Sequence, residues 1–163
     1  MIHLLSSDVP LSHKQAASFT LYRAIIPEKQ AHYQNASSIL LAMLHGPFLK
    51  LVDSSGIRPE NTIEPSEALS SISTLISNTE PSPIFISKIL SPILASLYLL
   101  SYNLSQYKTA DPQLKASVNG ILLSWGKIVD HPEGINILWS ILETGKSTEW
   151  KYNTDGQLWR FQL

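Results

Sequence analysis

Apolar residues recur along most of this chain at steps of three and four, the spacing that places them on one face of an α-helix. Residues 9–52 are predicted to form a first helical pair. Ser12 caps the first helix and Pro27 ends it, and the second helix runs from Pro27 to a stop at Gly46-Pro47. The two predicted buried faces are Ala16, Phe19, Tyr22 and Ile26, and Ala31, Asn35, Ile39, Leu40, Met43 and Leu44.

Residues 53–83 differ in character, because Ser, Asn, Thr, Glu and Pro dominate them and predict a loop. Within this loop, Pro65-Ser66-Glu67 opens a short helix whose apolar face is Leu69, Ile72, Leu75 and Ile76.

Core helices are predicted over residues 84–145. The first, from Ile84 to Tyr107, is apolar over more than half of its circumference and is therefore expected to be surrounded by neighbours. Pro92 lies inside it and has no N–H to donate, so a kink or break is expected near Ser91. Its predicted core residues are Ile86, Ile89, Leu90, Ile93, Leu94, Leu97, Leu100 and Leu104.

Two further helices start at Asp111-Pro112 and at His131-Pro132-Glu133. The apolar face of the first is Leu114, Val118, Ile121, Leu122, Trp125, Ile128 and Val129. The second carries Ile135, Leu138, Trp139 and Leu142 on one side, with Ile137 and Ile141 on another. We expect this last helix to need partners on both sides, and we assign Trp125 and Trp139 to core packing.

Residues 149–162 are predicted to form a β-hairpin around Asp155-Gly156, the preferred pair for a two-residue type I′ turn. With that turn, Tyr152 faces Trp159 and Trp150 faces Phe161. Because an isolated hairpin is marginally stable in water, the aromatic side is expected to lie on the helices or on a partner. The candidate partner surface is therefore Trp150, Tyr152, Trp159 and Phe161.

The predicted fold class is all-α. Residues 1–163 form one domain of antiparallel helical hairpins, of HEAT- or armadillo-like type, with a short C-terminal β-hairpin. The length of 163 residues and the 44% hydrophobic content are sufficient for one core.

The composition of the chain argues against several classes of function. Lys and Arg (12) nearly balance Asp and Glu (13), which argues against a nucleic-acid partner. The absence of Cys excludes thiol nucleophiles and Cys-ligated metals, and it is typical of proteins in a reducing compartment. Because the chain has no basic signal-peptide start, we expect a cytoplasmic protein.

The sequence contains no recognisable catalytic or metal-binding motif. The five His are scattered singly, and no nucleophile elbow or phosphate-binding motif is present, so we predict no catalytic, metal or cofactor residues and no enzyme. A hydrolase using scattered Ser and His is kept as a minor hypothesis.

The C-terminal half carries a resemblance to a known family. The segments concerned are residues 90–98 (LSPILASLY), 110–115 (ADPQLK), 120–129 (GILLSWGKIV) and 133–135 (EGI), Leu138-Trp139, and residues 149–156. Together they resemble the fungal branch of the transport-and-Golgi-organisation protein six family, whose fungal members are described as RNA polymerase II assembly and nuclear-import factors. Family members are much longer helical-repeat proteins.

The resemblance implies a non-enzymatic scaffold that binds protein clients, such as polymerase subunits or transport factors, in the cytoplasm with shuttling to the nucleus. It carries over no binding residues. The alternative hypothesis is a membrane-associated component of the secretory pathway anchored through residues 84–104, a segment that approaches the length of a membrane span. Lys88 and Pro92 interrupt that segment, which favours a core helix over a span.

Overall fold

The computed structural model describes residues 2–5, 8–26, 32–49, 63–106, 111–144, 148–152 and 158–162. These residues are mostly helical, as the hydrophobic spacing predicts. The α-helices are α1 (Leu11–Ile25), α2 (His32–Leu49), α3 (Pro65–Ser77), α4 (Pro83–Leu90), α5 (Leu94–Gln106), α6 (Pro112–Ile128) and α7 (His131–Thr144). Short 3-10 helices cover Ile2–Leu5 and Ser91–Ile93, and the strands are β1 (Thr148–Tyr152) and β2 (Leu158–Gln162).

The centre of the molecule is the broken helix formed by α4, the 3-10 turn Ser91–Ile93 and α5. The break lies at Pro92, where the sequence places it, because proline cannot donate the backbone bond of a continuous helix. α5 packs against α6, α7 and β1, while α4 packs against α6 and α1. All eight apolar residues predicted for this segment are buried.

Two helix starts are also confirmed. Asp111 is the N-cap of α6, and its side chain accepts a hydrogen bond from the Gln113 backbone N–H at 2.9 Å. The short helix predicted to open at Pro65 is α3, which buries Leu69, Ile72 and Leu75. The rest of the predicted loop lies partly outside the described residues, which resume at Ile63.

The ends of the first two helices differ from the prediction. α1 begins at Leu11 with Pro10 as its N-cap, so Ser12 lies inside the helix. The predicted start of the second helix at Pro27 lies outside the described residues. The predicted stop at Gly46-Pro47 is wrong, because α2 continues to Leu49 and Pro47 lies in its last turn. Burial of Phe48 in the core offsets the helix-breaking tendency of the proline.

The buried faces of α1 and α2 were predicted only in part: Tyr22, Ile26 and Leu40 pack against the core as expected. Phe19 is exposed, and α1 buries the neighbouring face, which contains Ala17, Leu21 and Ile25. On α2, Ile39 and Met43 are exposed, whereas Leu44 is buried as expected. Both helices carry two overlapping apolar faces, so periodicity alone does not decide which one meets the core.

The strands form the predicted antiparallel hairpin, but in a register that differs by one residue. Tyr152 pairs with Leu158, and Trp150 pairs with Arg160. The predicted pairs Tyr152 with Trp159 and Trp150 with Phe161 are therefore wrong, since a shift of one residue changes every cross-strand neighbour. The Asp155-Gly156 turn lies outside the described residues.

One described helical segment, Pro83–Gln106, has the length and apolar composition of a membrane span, with a mean hydropathy of 1.8 over its best window. In the fold this segment is interrupted at Ser91–Ile93 and supplies much of the core. Core helices of soluble proteins meet the same length and composition test, so this segment does not distinguish the two hypotheses.

Three side-chain-to-backbone hydrogen bonds join the central helix to α1 and α2. The neutral ring of His45, buried on α2, donates through Nε2 to the Ile89 carbonyl oxygen at 2.8 Å. The Lys88 ammonium donates to the Ile25 carbonyl oxygen at the end of α1, at 3.1 Å. The Ser96 hydroxyl donates to the Phe48 carbonyl oxygen at 2.7 Å. These contacts tie α1 and α2 to the central helix.

The buried position of His45 predicts a pH dependence of stability. Burial lowers the pKa of the folded His45 below 6.5, and the hydrogen bond to Ile89 opposes this shift more weakly. The unfolded chain therefore binds more protons than the folded one near pH 6, so stability is complete above about pH 6.5 and falls as pH drops through the lower folded pKa. Urea unfolding between about pH 7 and pH 5 should show this loss.

His45→Gln retains an N–H donor for Ile89 but does not titrate, so it should flatten the pH dependence. His131→Gln, at an exposed position, is the matched control and should leave the slope as in the unmodified protein. If both variants keep the same slope, His45 is not the responsible group.

Candidate protein-docking surface

The inner face of α7 packs against α5 and the end of α6. Gly134 is buried, and a Cβ added to it would lie 3.4 Å from Val129 Cγ1 and 3.9 Å from Trp125 Cη2. Ile137 and Ile141 lie on the same side and pack against the core cluster. The inner side of α7 is therefore packed against other helices of the same chain.

A polar cluster fixes the start of α7 on the broken helix. Ser91 Oγ donates to Glu133 Oε1 at 2.8 Å, and Ser87 Oγ donates to the same oxygen. Trp125 Nε1 in turn donates to Ser91 Oγ at 3.3 Å. Because Ser91 stands at the Pro92 break, this network couples the orientation of α7 to the geometry of the break.

The outer face of α7 is apolar and open to solvent. Its exposed fractions are 66% for Ile135, 43% for Leu138, 65% for Trp139 and 74% for Leu142. The spacing i, i+3, i+4, i+7 places these four side chains, which we call the outer face of α7, on one stripe. The prediction that Trp139 is a core residue is wrong. Trp125, on the facing side of α6, is buried as predicted.

The amount of apolar surface exposed on α7 bears on its function. The outer face of α7 combines one indole and three aliphatic side chains, which is the largest number of exposed large apolar residues on one described helix. Apolar patches exposed on a monomer surface are typical of interaction sites when they are large. The described side chains of α7 include one carboxyl group, that of Glu133, which accepts hydrogen bonds from Ser87 and Ser91.

A groove between α5 and α6 is the second apolar feature of this half of the molecule. Its volume is about 610 Å³. Leu122 and Leu123 of α6 and Tyr98 of α5 supply the apolar lining, and Lys127 lies at its edge. A smaller cleft between α3 and α6 is lined mostly by hydroxyl groups.

The four aromatic residues predicted as a partner surface are placed differently from one another. Trp150 is fully buried: its ring centroid lies 6.1 Å from that of Phe48, and Nε1 donates to the Ser96 carbonyl oxygen at 3.1 Å. Its assignment to a partner surface is therefore corrected to core packing. The side chains of Tyr152, Trp159 and Phe161 lie outside the described part of the structure.

The described residues contain few titratable side chains that lie close together. Within them, no group of three or more His, Cys, Asp or Glu residues is arranged to hold a metal ion. Neither of the two cavities above is lined by a histidine. The candidate surfaces that we consider in the described residues are apolar: the outer face of α7 and the groove between α5 and α6.

The outer face of α7 was present in the sequence as a pattern but was misinterpreted. Two apolar stripes on one helix, one through Ile137 and Ile141 and one through Trp139, required partners on two sides. Among the described residues, the first stripe packs against the core while the second is exposed. Comparison of this chain with protein-family models, with curated proteins and with solved structures found no match.

Proposed function

We propose that this protein is a non-enzymatic scaffold of HEAT- or armadillo-like helical hairpins that binds other proteins. The observation that carries the proposal is the outer face of α7, an exposed apolar stripe on a rigidly held helix. Repeat proteins stack helices so that each layer covers the apolar face of the one before it. An uncovered face of this kind at the last described helix supports docking of a further helical layer or a client.

The resemblance of residues 90–163 to the fungal polymerase-assembly family suggests the clients: RNA polymerase II subunits or transport factors, met in the cytoplasm and during nuclear import. Binding of such protein clients requires no cofactor. The role of the protein is to hold a client surface, through apolar burial at α7. The alternative is a membrane-associated transport component anchored through residues 84–104.

A binding experiment tests the docking role of α7. Trp139→Glu places a charge in the middle of the stripe, where docking would desolvate it, so we expect its affinity for purified RNA polymerase II to fall about tenfold or more. Biolayer interferometry with the immobilised scaffold measures this. The fold should be unaffected, because the Trp139 side chain is exposed and its replacement leaves no cavity in the core.

Phe19→Glu is the matched control, since Phe19 is an equally exposed aromatic residue on α1. It should bind the polymerase as the unmodified protein does. Equal affinities for both variants would remove α7 as the docking face, and absence of binding by the unmodified protein would remove the polymerase as its client.

A further inference from the structure

The groove between α5 and α6 has features beyond an exposed apolar patch. Leu122, Leu123 and Gly126 of α6 line one side of the groove, which we call its floor, and Tyr98 of α5 also lines it. Tyr102 lies one turn further along α5 and is also exposed. Ser101 Oγ donates to Asn119 Oδ1 at 2.8 Å across the groove, which holds the two walls at a fixed separation.

Gly126 leaves the groove open because it has no side chain. The described packing of the chain does not require glycine at this position. A Cβ built on Gly126 would meet nothing within 4 Å, and the same is true of Gly120 on the same helix. Glycine inside a helix is less stable than alanine, so the position carries a cost that no contact within the described structure explains. A glycine floor allows the backbone of a docked helix to approach closely.

Lys127 is the one charged residue among the described residues that line the groove, and the exposed Asp130 follows it beyond the end of α6. α5 contains no Asp, Glu, Lys or Arg, and α6 contains Lys115 and Lys127 with no acidic residue between its ends. Lys127 lines the groove itself and is exposed. An apolar floor beside a lysine is complementary to an apolar stripe that carries a carboxylate next to it.

We propose that this groove binds an amphipathic α-helix of a partner protein, with apolar residues at i, i+3 or i+4, and i+7 and an acidic residue that pairs with Lys127. A helix rather than a strand is the occupant, because the backbone groups of α5 and α6 are bonded within the helices and offer no edge for strand addition. The inference deepens the proposed protein-binding role by naming the partner's chemistry, and it uses a surface other than the outer face of α7.

The test is a selection of helical peptides, from a displayed library of random amphipathic 16-residue sequences, on the purified full chain. Selected peptides are expected to carry Asp or Glu beside the apolar stripe. Gly126→Leu, which fills the floor, and Leu123→Glu should each weaken them about tenfold or more. Gly120→Leu, also in open space but outside the groove lining, should bind them unchanged.

Lys127→Glu supplies a second arm that alters only an exposed side chain. It should reverse the preference, so that peptides with Lys in place of the acid bind better than the originals. Trp139→Glu should retain peptide binding, which separates this groove from the α7 docking surface: a failed polymerase titration with intact peptide binding overturns only the proposed function.

Four outcomes would overturn the groove proposal. These are no enrichment of peptides, peptides without acidic preference, equal binding by Gly126→Leu and Gly120→Leu, and concentration-dependent dimers that bury Leu123. The last result would show that a second copy of the chain is the occupant.

Discussion

Replacement of Trp150 by alanine is expected to lower the free energy of unfolding by about 3–5 kcal/mol, the range measured for buried Trp or Phe truncations. Trp150 is fully buried, packs its ring on Phe48 and donates to the Ser96 carbonyl oxygen. The change leaves a large cavity between β1, α2 and α5 and removes a buried contact between the hairpin and the helices; β2 keeps its own contacts with α2 and α3. Urea unfolding followed by far-UV circular dichroism measures it.

Trp139→Ala is the control for this prediction, because it removes the same side chain from an exposed position. Its effect is expected to stay within about 0.5 kcal/mol. Trp150→Phe separates packing from hydrogen bonding, since it keeps an aromatic ring and removes the Nε1 donor. Because Ser96 lies inside α5, its carbonyl oxygen keeps a helical hydrogen bond, and the expected cost is about 0.5–1.5 kcal/mol. Equal losses for Trp150→Ala and Trp139→Ala would mean that the hairpin does not contribute to the core.

Glu133→Ala is expected to cost about 2–3 kcal/mol, because the Ser87 and Ser91 hydroxyls both lose a charged acceptor in a partly buried site. Glu133→Gln keeps one acceptor oxygen and should recover about half of that loss. Since the same carboxylate fixes the start of α7, the alanine variant should also show increased amide exchange in α7, measured by hydrogen–deuterium exchange.

Glu80→Ala serves as the matched control, since Glu80 is an exposed acid at a helix boundary. Its unfolding free energy and α7 exchange should remain close to those of the unmodified protein. Unchanged α7 exchange in Glu133→Ala, together with lost stability, would show that the carboxylate stabilises the break without orienting the helix.

The sequence predicted the local backbone structure correctly where a single residue type determines it. Pro92 breaks the central helix because it lacks an N–H, and Asp111 caps α6 because its carboxylate accepts a backbone bond. The central segment was also predicted in full, since it is apolar on so many sides that almost any arrangement of neighbours buries it.

Predictions that required a choice between two faces were less successful. On α1 the exposed Phe19 and the buried Leu21 belong to overlapping stripes, and on α7 the exposed Trp139 and the half-buried Ile137 do the same. The candidate docking surface was missed for this reason: a helix with two apolar sides predicts two partners, but the sequence does not say which side the chain itself covers.

The sequence by itself determined that the central helix breaks at Pro92, that α3 and α6 open at Pro65 and Asp111, and that the apolar central segment is buried, because these depend on backbone chemistry and spacing within a few residues. Only the tertiary structure decided that α2 passes through Gly46-Pro47, that the hairpin pairs Trp150 with Arg160, and that the outer face of α7 stays open. These outcomes depend on the total apolar area buried by neighbours distant in sequence, which outweighs local preference at each position.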